Sequence, residues 1–364
     1  MNERSKTQEL YYADYLQLPR LLDSQLPESR RHGREAHDEM LFIVTHQTYE
    51  LWFKQILHEL KSVLAAFAVA PLDEHSIGVI VARLERIIAI QKVLNQQIDV
   101  LETITPLDFL DFRDYLIPAS GFQSVQFREI ELRLGLGVHL PQPVTGRLRS
   151  EDVAYLGKVA GESSLFQQVD AWLARMPFLK FEDYDFWESY REAVKVMLAR
   201  DKRSIEENPL FSEAERRAQL IELDNTRRKF EYLLDPTGFE RLKAQGLFHL
   251  RQTSVLSALF IQLYRDEPIL HLPFRLLSHL MDIDELFTAW RSRHALMAQR
   301  MLGSKIGTGG SSGHDYLQQT VDKKRIFKDL FNLSTFLIPR SSLPALPRRL
   351  KQSLDFHFTG ERCV

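Results

Sequence analysis

Histidines in long apolar segments are the residues of this chain best placed to do chemistry. His46 lies in HDEMLFIVTHQTYELWFKQIL, with Phe42, Tyr49 and Phe53 at intervals of three or four positions. On an α-helix these positions form one stripe, so a polar imidazole would stand in an aromatic wall. The same stripe is also typical of a core histidine that is hydrogen-bonded to a neighbour, and the pattern alone does not separate the two.

His294 occupies a similar position in DELFTAWRSRHALMAQRMLG. Helical spacing places Trp290, Met297 and Met301 on its face. A single imidazole on an apolar helical stripe often holds a haem iron from the proximal side, although methionine and aromatic stripes also build ordinary cores. The sequence contains no H-E-x-x-H segment and no cysteine-based zinc pattern, since its one cysteine is Cys363.

Two further features could bind a substrate. Arg113, in TPLDFLDFRDYL, shares a helical face with Phe109 and Leu116. An arginine on an apolar stripe needs an anion, which is either a bound carboxylate or an Asp or Glu of the chain itself.

The segment GTGGSSG at 307–313 lacks the ending of a phosphate-binding loop. It is either a loop that closes over a ligand or a simple connector.

The elements that must position these residues are predicted to be helices. The longest helical patterns cover residues 40–69, 77–101, 107–116 and 273–302, and Thr105-Pro106 is expected to start the third. Shorter ones cover 122–134, 151–173, 187–200, 212–234, 253–264 and 325–331, while 135–150 is predicted to be a loop. Strand signals are scarce. The prediction is an all-α fold, a helical bundle that is mostly one large domain.

The composition favours a protein without nucleic-acid or membrane partners. Among 364 residues, of which 44% are hydrophobic, 47 Lys and Arg nearly balance 49 Asp and Glu. No uncharged apolar run approaches the ~20 residues of a membrane helix. The N-terminus lacks the apolar segment of a signal peptide, and one cysteine cannot form an internal disulfide. We therefore expect a cytoplasmic protein.

Several of these segments together resemble the tryptophan 2,3-dioxygenase family. The similarity is carried by HDEMLFIVTHQTYELWFKQILHEL, LDFLDFRDYLIPASGFQSVQFRE and WRSRHALMAQRMLGSKIGTGGSSGHDYLQQT, with YYADYLQL near the start and DLFNLSTFLIPR near the end. It extends from about residue 11 to residue 340 and is weakest between 135 and 251. The resemblance implies that the helical bundle encloses haem b, one per subunit and ferrous when active. It also implies that O2 opens the indole ring of L-tryptophan to give N-formylkynurenine, the first step of the kynurenine route.

The resemblance implies roles for individual residues as well. His294 would be the proximal ligand of the haem iron. His46 would be the distal histidine that hydrogen-bonds the indole N–H, either as a base or only as an orienting group. Arg113 would hold the substrate carboxylate. Further contacts are expected to the substrate from Phe42, Phe109, Leu116 and Thr308, to the haem from Ser120 and Gly121, and to a neighbouring subunit's site from Tyr12 and Tyr15. Phe109 stands where some members of the family carry Tyr.

The implied assembly is a homotetramer in which residues 1–30 of one subunit complete a neighbour's site. Residues 31–340 would form the haem-binding catalytic domain, with 141–251 as a candidate inserted helical subregion and 341–364 as a C-terminal tail. The residues alone leave three other interpretations open. These are a haem protein that oxidises another indole, a haem or tryptophan sensor without turnover, and a helical interaction scaffold.

Overall fold

Helices form wherever the sequence has helical apolar periodicity. The computed structural model describes residues 9–69, 74–137, 148–176, 179–181, 184–303 and 324–355. Its α-helices are α1 (Tyr12–Tyr15), α2 (Leu18–Leu22), α3 (Glu28–Arg31), α4 (Glu39–Ala68), α5 (Glu74–Leu101), α6 (Pro106–Arg113), α7 (Val125–Leu134), α8 (Ser150–Ala160), α9 (Leu165–Leu173), α10 (Phe186–Glu207), α11 (Glu213–Leu234), α12 (Pro236–Ala244), α13 (Gln252–Leu263), α14 (His271–Leu302), α15 (Lys328–Asn332) and α16 (Arg348–Ser353). Short 3-10 helices lie at Asp114–Leu116, Gly121–Gln123, Pro268–Leu270, Leu333–Phe336 and Arg340–Ser342.

The all-α prediction is confirmed. In the described ranges the only strands are β1 (Lys180–Phe181) and β2 (Tyr184–Asp185), which form one antiparallel pair. The predicted start of α6 is also confirmed, because the Thr105 side chain accepts a hydrogen bond from the backbone N–H of Asp108 at 3.3 Å and Pro106 is the first helical residue. Among the described residues, no helix combines the length and apolarity needed to cross a bilayer.

Several predicted helices differ from the structure, and α10 extends to Glu207 where the pattern predicted an end at residue 200. The pattern at 151–173 divides into α8 and α9, because Ser164 and Gln167 form a capping box that starts a new helix. Helix α12 was not predicted; it begins at Pro236 directly after α11, with Asp235 as its N-cap. The short helix predicted at 325–331 is α15, which begins three residues later at Lys328.

The centre of the bundle is formed by α4, α5 and α14. Helix α5 packs along α4 on one side and along α14 on the other. Buried side chains fill both contacts, including Leu60, Leu84 and Leu280, each with no exposed surface. Burial of this apolar area is the main stabilising contribution to the bundle.

A buried cluster of charges fixes α14 to α7 and to the chain that follows residue 323. The Glu131 carboxylate lies 2.5 Å from Arg128, 3.2 Å from Arg291 and 3.1 Å from Lys324. Burial by itself would raise the pKa of Glu131, but the three cations outweigh it and lower the pKa to about 2. The carboxylate therefore stays charged and holds the three elements together.

The region between residues 148 and 251 shares the main hydrophobic core. Trp172 of α9, Tyr190 of α10 and Phe248 belong to the same continuous cluster of buried side chains as Leu60 of α4. Tyr190 also donates a hydrogen bond to the carbonyl of Phe336 at 2.5 Å. The region is thus packed against the helices that carry the candidate site.

Candidate active site

His46 of α4 and His294 of α14 each follow a residue that is hydrogen-bonded to the same turn of α5. The Gln97 amide donates to the carbonyl of Thr45 at 3.0 Å, which fixes α4 at the residue before His46. Two positions earlier on α5, the carbonyl of Asn95 accepts from Arg293 at 2.8 Å, which fixes α14 at the residue before His294. Because one turn of α5 holds both neighbours, the two imidazoles lie at the same level of the bundle.

The electrostatics of the two rings agree with this proximity. The pKa of His294 is lowered to about 4, chiefly by burial and to a smaller extent by repulsion from a protonated His46. The pKa of His46 is also lowered by burial, against the raising effects of the Phe42 carbonyl and of Glu50. Both rings are therefore neutral at neutral pH.

The tautomer of His46 follows from its backbone contact. Its Nδ1 lies 2.7 Å from the carbonyl oxygen of Phe42, one helical turn earlier. A carbonyl oxygen can only accept, so Nδ1 carries the proton and donates. In the neutral ring Nε2 is then an unprotonated acceptor. Such a nitrogen suits a ligand that presents an N–H group.

Three phenylalanine rings form a wall beside His46. The ring of Phe42 lies 4.1 Å from the His46 ring, 5.8 Å from Phe109 and 5.5 Å from Phe112, measured between centroids. Phe109 is 9% exposed and Phe112 is fully buried. The predicted pair of Phe42 and Phe109 is thus brought together, on α4 and α6. The sequence reading did not assign Phe112, because its position between Phe109 and Arg113 also fits plain core packing.

His294 lies against the indole of Trp290. The two rings are nearly parallel, at 14°, with centroids 5.3 Å apart. Neither ring nitrogen of His294 makes a hydrogen bond to a residue in the described ranges. Within those ranges no group of three or more His, Cys, Asp or Glu is arranged to hold a metal ion. A single imidazole beside an aromatic ring on one helix is how a haem iron is often held.

Arg113 is the last residue of α6. Its side chain is 14% exposed, and Nη1 lies 3.2 Å from a carboxylate oxygen of Asp114, which is 78% exposed. The alternative left open by the sequence, a salt bridge within the chain, is therefore present. Such a water-exposed pair is worth little, about 0–1 kcal/mol. Leu116, also predicted for the site, is half-buried in the 3-10 helix that follows Arg113.

Ser120 and Gly121 form the turn that leads towards α7. The Ser120 hydroxyl accepts from the backbone N–H of Phe122 at 3.4 Å, and the Gln123 side chain accepts from the backbone N–H of Ser120 at 3.2 Å. Among the described residues, a Cβ added at Gly121 would meet no atom within 4 Å. Protein packing and backbone angle therefore do not require glycine there, and the space beside it is open to a ligand.

Tyr12, Tyr15 and Thr308 are the remaining predicted residues. Tyr12 and Tyr15, on α1, are 74% and 70% exposed. The N-terminal segment as a whole presents large apolar side chains to solvent, with Leu10 at 71% and Leu22 at 70%. Thr308 and the rest of the 307–313 segment lie outside the described residues.

The chain matches one protein-family model and many curated proteins. The model described as tryptophan 2,3-dioxygenase matches residues 1–337. A tryptophan 2,3-dioxygenase of Bdellovibrio bacteriovorus is 49% identical over 96% of this chain and 99% of its own length. One of Alteromonas mediterranea is 48% identical over 95% of this chain and 97% of its own length. One of Dictyostelium discoideum is 45% identical over 98% and 90%.

Proposed function

The chain belongs to the tryptophan 2,3-dioxygenase family, and on that premise we propose that the pocket between α4, α6 and α14 is where its reaction takes place. The enzyme is a haem dioxygenase that oxidises L-tryptophan with O2 to N-formylkynurenine. We assign the haem to His294 and the indole to the side of His46. The observation that carries this assignment is the placement of two neutral imidazoles at the level of one turn of α5, one of them with no hydrogen bond to the described residues.

The residues present fit a haem. His294 is neutral and has a ring nitrogen available for iron, which is the form in which imidazole coordinates a metal. Trp290 and Phe127, with ring centroids 5.1 Å apart, give the proximal side an apolar lining. The open space beside Gly121 would admit the edge of a flat ring. Haem b, ferrous in the active enzyme, is the form proposed.

His46 is proposed to orient the substrate. The bound haem would supply the activation of O2, which no side chain here could provide. Nε2 of His46 accepts a hydrogen bond from the indole N–H, because Nδ1 is committed to the Phe42 carbonyl at 2.7 Å. The low pKa of His46 keeps this acceptor unprotonated at neutral pH. Positioning of this kind can by itself account for large factors in rate.

The other residues of the pocket hold the rest of the substrate. Phe42 and Phe109 would flank the indole ring, with Leu116 completing the apolar lining. Arg113 would grip the carboxylate with its guanidinium fork. An incoming carboxylate would compete with Asp114, whose side chain is 78% exposed. Thr308 would contact the ammonium group, and Ser120 with Gly121 would border the haem.

The proposed assembly is a homotetramer in the cytoplasm. The exposure of Tyr12, Tyr15 and the leucines near them supports it, because apolar side chains displayed together usually mark a surface for another chain. The proposed division has residues 1–30 reaching a neighbouring subunit, 31–340 forming the catalytic domain with 141–251 as a subregion, and 341–364 as a tail.

The test of the assignment is His294→Ala. We expect the variant to fold but to lose the Soret band of bound haem, and external imidazole to restore part of it. A variant that keeps a normal Soret band would show that His294 is not the ligand. Turnover is followed by oxygen uptake and by a product mass equal to tryptophan plus O2. Haem and tryptophan binding without oxygen uptake would instead indicate a sensor.

A further inference from the structure

The orientation of the His294 ring needs a physical cause. A histidine that binds a metal usually donates its second ring N–H to a carboxylate, a carbonyl or water, which fixes the ring plane. In the described ranges His294 has no such protein partner. This contrasts with His46, whose Nδ1 is bound by the Phe42 carbonyl. Ring packing is the remaining protein contact that could fix the plane.

Trp290 supplies that packing. Its indole lies within 14° of parallel to the imidazole at a centroid distance of 5.3 Å, which is within the range of favourable offset stacking. The two residues are one helical turn apart on α14, so the stack is built into the helix. A rotation of the imidazole about its Cβ–Cγ bond would break this parallel contact.

The indole is itself held by two rings from other helices. Tyr49 of α4 meets it edge-on at 6.1 Å and 65°, and Phe127 of α7 lies at 5.1 Å. The hydroxyl of Tyr49 donates to the carbonyl of Leu94 at 2.8 Å, which anchors that ring to α5. Trp290 therefore connects three fixed elements to the face of His294.

The indole N–H contributes little to this arrangement. Nε1 of Trp290 is buried and has no partner with hydrogen-bond geometry among the described residues, although it lies close enough to the Tyr49 hydroxyl to lower the pKa of that hydroxyl. The ring of Trp290 is therefore held mainly by its faces and edges. A phenyl ring at this position would keep the stacking, whereas an aliphatic side chain would not.

We propose that Trp290 is a positioning residue that sets the plane of the His294 imidazole and so strengthens its bond to the haem iron. This inference rests on His294 being the axial ligand. In many metal sites a hydrogen-bonded carboxylate orients the histidine ligand. Here aromatic stacking is proposed to orient it instead.

The test compares Trp290→Leu with Trp290→Phe in the haem-loaded enzyme. Two quantities are measured: the iron–imidazole stretching band in the resonance Raman spectrum of the reduced protein, and the rate of haem transfer to excess apomyoglobin. In Trp290→Leu we expect a shifted or broadened band and haem release faster by roughly 2- to 12-fold, from the usual strength of an aromatic pair. Trp290→Phe should restore both values.

Trp187→Leu is the matched control. Trp187 is also buried, packs against Phe186 and Tyr190, and has an Nε1 without a hydrogen-bond partner in the described structure. It lies on α10, so its loss should lower thermal stability without changing the Raman band or the release rate. If Trp290→Leu matches this control, the inference is wrong. If Trp290→Phe behaves like Trp290→Leu, stacking is not the cause.

Two further variants keep the result interpretable. Should Trp290→Leu fail to fold, Phe127→Leu removes one of the rings that hold the indole. It should shift the band in the same direction by less, and an unchanged band would overturn the inference. His294→Ala separates the two claims. If it retains the band, the proposed ligand is wrong. If it loses the band while the Trp290 variants leave it unaltered, only the positioning role fails.

Discussion

Replacing Glu131 with glutamine should destabilise the haem-free protein by about 3 kcal/mol. The carboxylate is 5% exposed and is contacted by Arg128, Arg291 and Lys324. Its pKa falls from an ordinary value of 4.5 to about 2 in the folded protein. At about 1.4 kcal/mol per pH unit, that difference corresponds to the stated energy. Glutamine keeps the shape but leaves the buried Arg128 and Arg291 and the half-buried Lys324 without their shared anion.

Thermal unfolding of the haem-free protein at pH 7 measures the effect. For 364 residues the entropy of unfolding is about 0.8 kcal/mol/K, so the midpoint should fall by roughly 4 °C. The control is Glu206→Gln, which removes a pair with Lys202 at 3.7 Å between exposed side chains. It should change stability by less than about 0.5 kcal/mol. Adding Lys324→Met to Glu131→Gln should recover part of the loss, because it reduces the unbalanced charge.

The pH dependence has a definite sign. Since folding lowers the pKa of Glu131, its contribution is complete above about pH 4.5 and disappears as the pH falls towards 2. Wild type and Glu131→Gln should therefore converge in stability over that window. A midpoint change below about 1 °C at pH 7, or a difference that persists unaltered into acid, would refute the electrostatic reasoning.

Three further predictions concern the pocket. His46→Ala should retain haem but lower turnover at least about tenfold, because the acceptor for the indole N–H is lost; full activity would reduce His46 to a packing residue. Arg113→Lys should lower kcat/KM for L-tryptophan by about 10- to 100-fold through loss of the guanidinium fork, while kinetics equal to wild type would make Arg113 structural. The double variant Tyr12→Ala, Tyr15→Ala should be weakly active alone. Oligomers that mix this double variant with Arg113→Ala should regain activity, because some sites then combine an intact Arg113 from one chain with intact Tyr12 and Tyr15 from the other. If activity does not return, the N-terminal segment does not contribute to its neighbour's site.

The helices of the bundle could be predicted because each depends on contacts within a few residues. The stripe through Phe42 and His46 specifies α4, and the Thr105-Pro106 pair specifies the start of α6. The break between α8 and α9 was missed, although Ser164 and Gln167 form a recognisable capping pair. It was missed because the apolar pattern continues on both sides of the break.

The spacing of residues along the sequence could not predict which side chains contact each other across the bundle. The three phenylalanines beside His46 come from α4 and α6, and the partners of Glu131 come from α7, α14 and the segment at Lys324. Nothing in the sequence near Glu131 indicates that a lysine almost two hundred positions later lies 3.1 Å away. Resemblance to a family could suggest roles for these residues, but not their contacts.

The sequence by itself determined which residues share a helical face, and therefore placed Trp290 beside His294 and Phe42 beside His46. Only the tertiary structure decided that the two histidines lie at the same level of the bundle, because this depends on how far α4 and α14 are displaced along α5. The hydrogen bonds of Gln97 and Arg293 at one turn of α5 fix that level. Helical periodicity fixes the direction of a side chain around its own axis, whereas the offset between two helices is set by contacts between residues far apart in the chain.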